Sequence, residues 1–214
     1  MVSCSGYGAD GLKGDGSTAT RYYHVPIKFY DNSGTELTGA NYPKITQMHI
    51  SDSHTMDTTA ADFNGCYYFL DTEGKLYRFG YNNYGQLGDG TTTNNYFNRQ
   101  MPMSLFGGEK IVYITGTGYQ YNSMYAITET GKLWGWGRNT DGNLGLGNTT
   151  QQVTPQHITG VSGSLLENKK VVHLHADQRG NDVSRCHVLT DEGVVYFMGQ
   201  RESHGIYTGS YDAT

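Results

Sequence analysis

The side chains best suited to chemistry in this chain are aromatic and amide groups that stand next to one another. Tyr119, Gln120, Tyr121 and Asn122 are consecutive, between two segments of strand-forming composition. Two rigid aromatic rings beside two amides can stack on, and hydrogen-bond, a sugar ring or a loop of another protein. The segment therefore predicts a binding site.

Catalytic and metal-binding patterns are weaker. His173 and His175 are two residues apart, so they project to one side of a strand, and with Asp177 they could ligate a metal. An ordinary strand with two polar positions explains the same spacing. No nucleophile stands in a motif that would expose it, and the carboxylates have no paired spacing. We therefore predict no enzyme, no catalytic residue, no metal site and no cofactor.

Composition favours a β protein that does not bind nucleic acid. The 214 residues include 30 glycines and 18 tyrosines, charged residues make up 16%, and the net charge is −5. Glycine, tyrosine, threonine and asparagine suit short strands and tight turns. An acidic balance without basic blocks is unsuited to gripping phosphates, and no apolar run approaches the ~18 residues of a membrane helix. We expect neither nucleic-acid binding nor membrane insertion.

An internal repeat positions these residues. Segments 70–80, 127–137 and 189–199 align without gaps. Each is an apolar strand, a tight turn that ends in Gly74, Gly131 or Gly193, and a second apolar strand, which predicts a β-hairpin with positive φ at the glycine. A second cluster of glycines follows each hairpin. A unit of about four short strands without helical periodicity is typical of one blade of a β-propeller.

The residues that we expect to be structural are the glycines of both clusters and two tryptophans of the middle hairpin. Trp134 and Trp136 lie on one face of their strand and should pack between neighbouring blades. The full set is Gly74, Gly80, Gly85, Gly88, Gly131, Gly137, Gly142, Gly145, Gly193, Gly199, Trp134 and Trp136.

These motifs resemble a known family. The pattern G-K-L-W-G-W-G-R-N-x-x-G-N-L-G-L-G at 131–147, and its counterpart at 74–90, are similar to the regulator-of-chromosome-condensation repeat. The resemblance implies an all-β fold that is part of a seven-bladed propeller, with blades of four antiparallel strands. The family's His-Ser/Thr pair is replaced by Cys66-Tyr67, Ser123-Met124 and Arg185-Cys186. We therefore expect a distant, viral or bacterial member.

The phase of the repeat predicts a partial propeller over residues 1–214. Repeats start near residues 6, 80, 137 and 199, so the chain is expected to begin and end in mid-blade. A closed propeller has four to eight blades. The rest of a longer chain, or other copies of this one, would complete the ring.

Three loops of unequal length, at 51–65, 116–122 and 177–184, occupy equivalent positions in successive blades and should crowd onto one face. Variable loops on a rigid repeat are where binding usually occurs. Tyr81 and Tyr84, with Asn82 and Asn83, fall in other loops of matching composition. The candidate ligand-binding residues are Tyr119, Gln120, Tyr121, Asn122, Asp57, Asp62, Arg179 and Asn181.

Three classes of function remain open for such a binding or structural module. The first is a fibre or adhesin propeller of a virion, such as a phage tail fibre, or of a surface appendage, which contacts host glycan or neighbouring subunits outside the cell; low charge and the loop composition favour it. The second is an intracellular, cytoplasmic scaffold or guanine-nucleotide-exchange-like propeller. The third is a secreted propeller that inhibits an enzyme.

Overall fold

The computed structural model describes residues 3–6, 14–17, 21–51, 65–118, 122–179 and 183–199. These ranges contain thirteen strands, three short 3-10 helices and no α-helix. The 3-10 helices are Gly39–Asn41, Met103–Phe106 and Ile158–Gly160. The strands are β1 Ser3–Gly6, β2 Arg21–Pro26, β3 Ile45–Ser51, β4 Cys66–Asp71, β5 Leu76–Gly80, β6 Asn95–Gln100, β7 Ile111–Gly116, β8 Ser123–Thr128, β9 Leu133–Gly137, β10 Gln152–His157, β11 Val171–Arg179, β12 Val183–Thr190 and β13 Val195–Gly199.

The strands form four antiparallel sheets in chain order, which confirms the all-β prediction. Strands β1 and β2 pair with each other. Strands β3 to β6 form the first blade and strands β7 to β10 the second, each with four strands in sequence order. Strands β11 to β13 form a three-stranded third blade. Because each strand pairs with the next along the chain, every connection within a blade is a hairpin.

The predicted hairpins are present in the predicted register. Leu70 pairs with Leu76 in the first blade, and Leu189 pairs with Val195 in the third. The glycine of each turn has positive φ, as predicted: 79° at Gly74, 87° at Gly131 and 78° at Gly193. All ten glycines expected to be structural have φ between 64° and 118°. These turns need glycine because other residues are strained in that region.

Blades stack through apolar faces. Tyr68, Leu70 and Leu76 of the first blade are buried against Ile114 and Trp136 of the second. The same arrangement recurs between the second and third blades, where a second cluster of apolar side chains is buried: Tyr125, Ile127, Leu133, Leu144, Ile158, Leu166, Val171, Leu174, Cys186, Val188 and Met198. Burial of apolar area on this scale is the main source of stability for stacked repeats.

The two tryptophans lie in the cluster between the first two blades, as their alternation predicted. Trp136 is fully buried, and its Nε1 donates to Gln86 O at 2.8 Å. Trp134 is only partly buried, stacked on His157 with ring centroids 4.9 Å apart and edge-on to Phe106. One tryptophan is therefore enclosed in the interface and the other closes its margin.

Inner strands of neighbouring blades are joined by a side chain. Gln47 of β3 donates its Nε2 to Ile114 O at 2.7 Å, and its Oε1 accepts from Ile114 N at 3.2 Å. The amide thereby pairs with both the N–H and the C=O of Ile114 at the inner edge of β7, as a neighbouring strand would. The first two blades are thus held in register by hydrogen bonds as well as by apolar contact.

One predicted loop is largely strand. Segment 177–184 was expected to be a loop, but β11 runs to Arg179 and β12 begins at Val183, with Arg179 opposite Val183. The segment was expected to be a loop because polar residues and glycine are depleted in strands, and the pairing of β11 with β12 overrides that preference.

Candidate functional site

The candidate site is at the end of the blades where the first strand of each turns into the second. The connections there are 52–65, 117–122 and 180–182, and the loops from third to fourth strand, 81–94 and 138–151, reach the same end. The 3-10 helices at 103–106 and 158–160 lie at the other end. We call the first of these the loop end.

Most of the residues predicted to bind a ligand lie outside the described ranges. Asp57, Asp62, Tyr119, Gln120, Tyr121 and Asn181 are in this group. Arg179 is the last residue of β11, and its side chain is outside the description. Their role in binding stays a prediction.

Asn122, the remaining candidate, lies inside the fold. It is 1% exposed with φ of 38°, and its Oδ1 accepts from Ser51 Oγ at 3.1 Å. Ser51 also donates to Thr117 O at 2.8 Å. The prediction placed Asn122 on a binding surface, but its side chain anchors the base of loop 117–122 to the neighbouring blade. Asparagine suits this position because it tolerates positive φ.

Loop 81–94 is organised by one buried asparagine. Asn82 is fully buried; its Nδ2 donates to the carbonyl oxygens of Thr91 and Thr93, at 3.0 and 3.1 Å. Its Oδ1 accepts from Leu87 N at 2.8 Å. Sequence reasoning placed Asn82 among residues of a recognition surface, whereas its side chain faces inward.

Loop 138–151 repeats this arrangement in the second blade. Asn139 is fully buried, donates to Asn148 O at 2.9 Å and Thr150 O at 3.1 Å, and accepts from Leu144 N at 2.9 Å. Asn82 and Asn139 each stand two residues after an aligned glycine, and this recurrence in the sequence was the available signal for a structural role. Both loops are therefore fixed on the same internal scaffold.

These fixed loops hold an aromatic and cationic group between two blades. The guanidinium carbon of Arg138 lies 5.3 Å from the centroid of the Tyr84 ring. Arg138 Nε donates to Thr140 Oγ1 at 2.9 Å, and Asn83 Nδ2 donates to the hydroxyl of Tyr81. We call these five residues the Tyr84–Arg138 patch. Asn83 and Thr140 are exposed, and the other three are partly exposed.

The patch has the chemistry of a recognition surface. A guanidinium over an aromatic ring is an attractive cation–π pair. Guanidinium groups also recognise carboxylates and carbonyls through their planar fork of donors. Tyrosine and arginine are also the residue types that contribute most to protein–protein interfaces. The arrangement suits a partner that offers both apolar and acceptor groups.

Cys66 and Cys186 are buried and unsuited to nucleophilic chemistry. Burial raises the pKa of the Cys66 and Cys186 thiols to about 12, so both are neutral at physiological pH and lack thiolate character. Among the described residues, no three His, Cys, Asp or Glu side chains are grouped so that they could hold a metal ion. The same ranges contain no helix that is long and apolar enough to span a membrane.

Comparison with protein families finds the Regulator of chromosome condensation (RCC1) repeat in this chain. Its model matches residues 73–120 and 130–176. These ranges include the turn glycines and second strands of the first two hairpins, and the loops that form the Tyr84–Arg138 patch. The resemblance inferred from the glycine patterns is confirmed.

Among similar proteins are the Ultraviolet-B receptor UVR8 of Arabidopsis thaliana and the E3 ubiquitin-protein ligase HERC2 of Homo sapiens. UVR8 is 30% identical over 161 residues, which cover 75% of this chain and 30% of UVR8. HERC2 is 33% identical over 143 residues, 64% of this chain and 3% of HERC2. Among solved structures, Prp20p from Saccharomyces cerevisiae superposes with a TM-score of 0.60 at 20% identity, over 92% of this chain and 41% of Prp20p.

The chain therefore spans less than half the length of each of these proteins. The superposition on Prp20p shows the propeller fold and no more, because identity is low. Together, the repeat and the fold identify a binding or regulatory module. The relatives favour the predicted alternative, a scaffold or guanine-nucleotide-exchange-like propeller, over the virion fibre or adhesin, and they give no support to glycan binding.

Proposed function

Because this chain contains RCC1 repeats, we propose that it is a protein-binding propeller that recognises its partner at the loop end. It would serve as a scaffold or regulatory module inside the cell, and the propeller itself would carry no catalysis. The single observation that supports this most is the Tyr84–Arg138 patch, which bridges two blades on rigid supports.

The rigidity of the patch supports binding. Tyr84 and Arg138 belong to loops that are each organised around a fully buried asparagine. Ordering flexible side chains on association costs roughly 0.5–1.5 kcal/mol each. A patch that is already ordered avoids much of this cost, so a small surface suffices for specific contact.

The partner is expected to be a protein with an acidic or carbonyl-rich segment beside an apolar side chain. A guanidinium such as that of Arg138 donates hydrogen bonds to carboxylate or carbonyl oxygens, and the ring of Tyr84 would contact the apolar side chain. Because the contact depends on one guanidinium, its affinity should fall modestly with salt, in contrast to the steep dependence of nucleic-acid binders.

The proposal is tested by quantitative capture from extracts of cells that express the protein. The double variant Y84A/R138A should capture at least tenfold less of a partner that wild type captures reproducibly. A loss of this size is expected when two such contacts are removed. The variant L165A is the matched control, because Leu165 is 66% exposed but lies at the opposite end of the blades.

Equal capture by wild type and Y84A/R138A would show that the patch is not the binding site. A second experiment distinguishes an exchange factor from a scaffold. If the captured partner is a small GTPase, it is loaded with a fluorescent nucleotide and mixed with the purified chain. Faster nucleotide release would show exchange activity, and an unchanged rate of release would favour a scaffold.

A further inference from the structure

The connection from β2 to β3 is longer than the connections at the same place in the next two blades. It runs over residues 27–44, whereas 101–110 joins β6 to β7 and 158–170 joins β10 to β11. Part of the extra length folds back on itself, so that Tyr30 pairs with Glu36 and Leu37 N donates to Phe29 O at 2.7 Å. We call segment 28–37 the edge hairpin.

The edge hairpin is fixed on the first blade. Tyr30 lies along the edge of β6 that is not paired with β5. There Tyr30 N donates to Asn98 O at 2.9 Å, and Gln100 N donates to Tyr30 O at 2.8 Å. Further along the connection, the hydroxyl of Tyr42 donates to Ile27 O at 2.8 Å. The backbone of the hairpin is therefore held at both ends by hydrogen bonds.

A cavity of about 360 Å³ is lined by the edge hairpin and by the end of β2. Much of its lining is apolar, from Val25, Ile27, Leu37 and Tyr42. Ile27 is only 4% exposed, which places it at the inner side of the cavity. Sites for small ligands typically have volumes of about 300–1,000 Å³. The cavity is therefore large enough for one long side chain of a partner.

The charged side chains that line the cavity, among the described residues, are Asp15, Lys28 and Glu36. Lys28 Nζ lies 2.9 Å from Glu36 Oε2. Glu36, through this bond, and Asp15, more weakly through its charge, raise the pKa of Lys28, so both carboxylates act on the same place. One ammonium neutralises only one of two carboxylates. The cavity therefore combines an apolar lining with an excess of one negative charge.

We propose that this cavity binds the side chain of a lysine presented by a partner protein. The methylene groups of the lysine would lie along Val25, Leu37 and the ring of Tyr42, because lysine buries its stem on apolar surface. Its ammonium would pair with Asp15 and Glu36. An anionic ligand would meet two carboxylates, and an uncharged ligand would gain nothing from them.

The approach to the cavity suits a peptide chain. Thr38 and Gly39 also line it, and both are exposed. A Cβ at Gly39 would meet nothing within 4 Å, so the backbone beside a bound lysine has room there. The cavity shares no residue with the Tyr84–Arg138 patch, so the inference stands whether or not that patch binds a partner.

The test is titration of the full chain with three probes, followed by NMR of the methyl groups of Val25 and Leu37. The lysine probe, N-acetyl-lysine methylamide, should shift both residues with a Kd of about 1 mM, as expected of a ligand of its size. N-acetyl-norleucine methylamide has the same stem without the ammonium, and it should bind about tenfold more weakly. n-Butylamine has the stem and the ammonium without peptide groups, and it should also bind more weakly than the lysine probe.

The variant D15N tests the charge, because asparagine keeps the oxygen that accepts from Ser17 N at 2.8 Å. It should weaken the lysine probe about fivefold and leave the norleucine probe unchanged. E129Q, which removes an exposed carboxylate of the second blade, is the control and should bind as wild type does.

Four results would overturn the proposal. They are unshifted methyl groups at ~20 mM lysine probe, equal affinity for the lysine and norleucine probes, wild-type affinity in D15N, and tighter binding of n-butylamine than of the lysine probe. The last result would assign the cavity to a free amine.

Discussion

Three glycines at the same turn position provide a direct measure of how tightly neighbouring blades pack. Gly74, Gly131 and Gly193 have nearly equal φ, so alanine at any of them imposes the same left-handed strain of roughly 1–2 kcal/mol. Their surroundings differ. A Cβ at Gly74 would lie 2.6 Å from Lys110 Cβ and 3.0 Å from backbone N and O of Ile111 in the next blade, whereas one at Gly193 meets nothing within 4 Å.

The expected destabilisation follows this order of contact. G193A should lower the free energy of unfolding by the strain alone, about 1–2 kcal/mol. G74A adds overlap with a backbone that cannot move freely, typically about 1–3 kcal/mol, so its total is about 2–5 kcal/mol. G131A should lie between them, because its Cβ would meet Lys170 Cγ, at 2.2 Å, in a side chain that can shift.

The measurement is urea unfolding followed by tryptophan fluorescence, since both tryptophans are in the second blade and report on its packing. Far-UV circular dichroism, recorded on the same samples, checks that the variants retain their strands. If G193A is as destabilising as G74A, the difference between the sites is not due to the neighbouring blade. The inference that the following blade packs closely on the turn at Gly74 would then be wrong.

Three further predictions concern residues inside the blades. Acrylamide should quench Trp134 and spare Trp136, so the W134F variant should be quenched less than W136F; equal quenching contradicts the different burial of the two rings. N139A should lower the free energy of unfolding by about 2–4 kcal/mol, because it leaves several buried backbone groups unpaired, and a loss under ~0.5 kcal/mol in urea unfolding would show that the loop has another support. Burial lowers the pKa of His49 to about 4, so the unfolded state binds more protons below pH ~6.5 and stability falls from there to pH ~4. H49T, which introduces the residue that Thr115 supplies in the second blade, should be less sensitive to acid over that interval in thermal melts, and identical pH profiles would refute the assignment.

The hairpins and their turns could be read from the sequence because their determinants are local. Gly74 and Gly131 stand at the end of tight turns between apolar strands, and a turn with positive φ there requires glycine whatever lies around it. The alternation that places Trp134 and Trp136 on one face is equally local. Such features recur in register, so each repeat supports the interpretation of the others.

The candidate site could not be read in the same way, because its residues are sorted by contacts between blades. Asn82 and Asn83 are neighbours of identical type, yet the first is fully buried and the second exposed. Asn122 is buried because Ser51, 71 residues earlier in the chain, reaches its side chain. Composition suggests recognition for all three residues, and only their tertiary partners separate scaffold from surface.

The position of the patch explains why a repeat, and not an isolated loop, is needed to form it. Tyr84 belongs to the first blade and Arg138 to the second. Their separation is therefore set by the stacking of the two blades, which is fixed by Trp136 in the core and by Gln47 at the inner edge. Each loop supplies half of the surface, and the interface between blades supplies the geometry. A surface of this kind can change its specificity through the exposed residues of either loop without disturbing the buried asparagines that hold both loops in place.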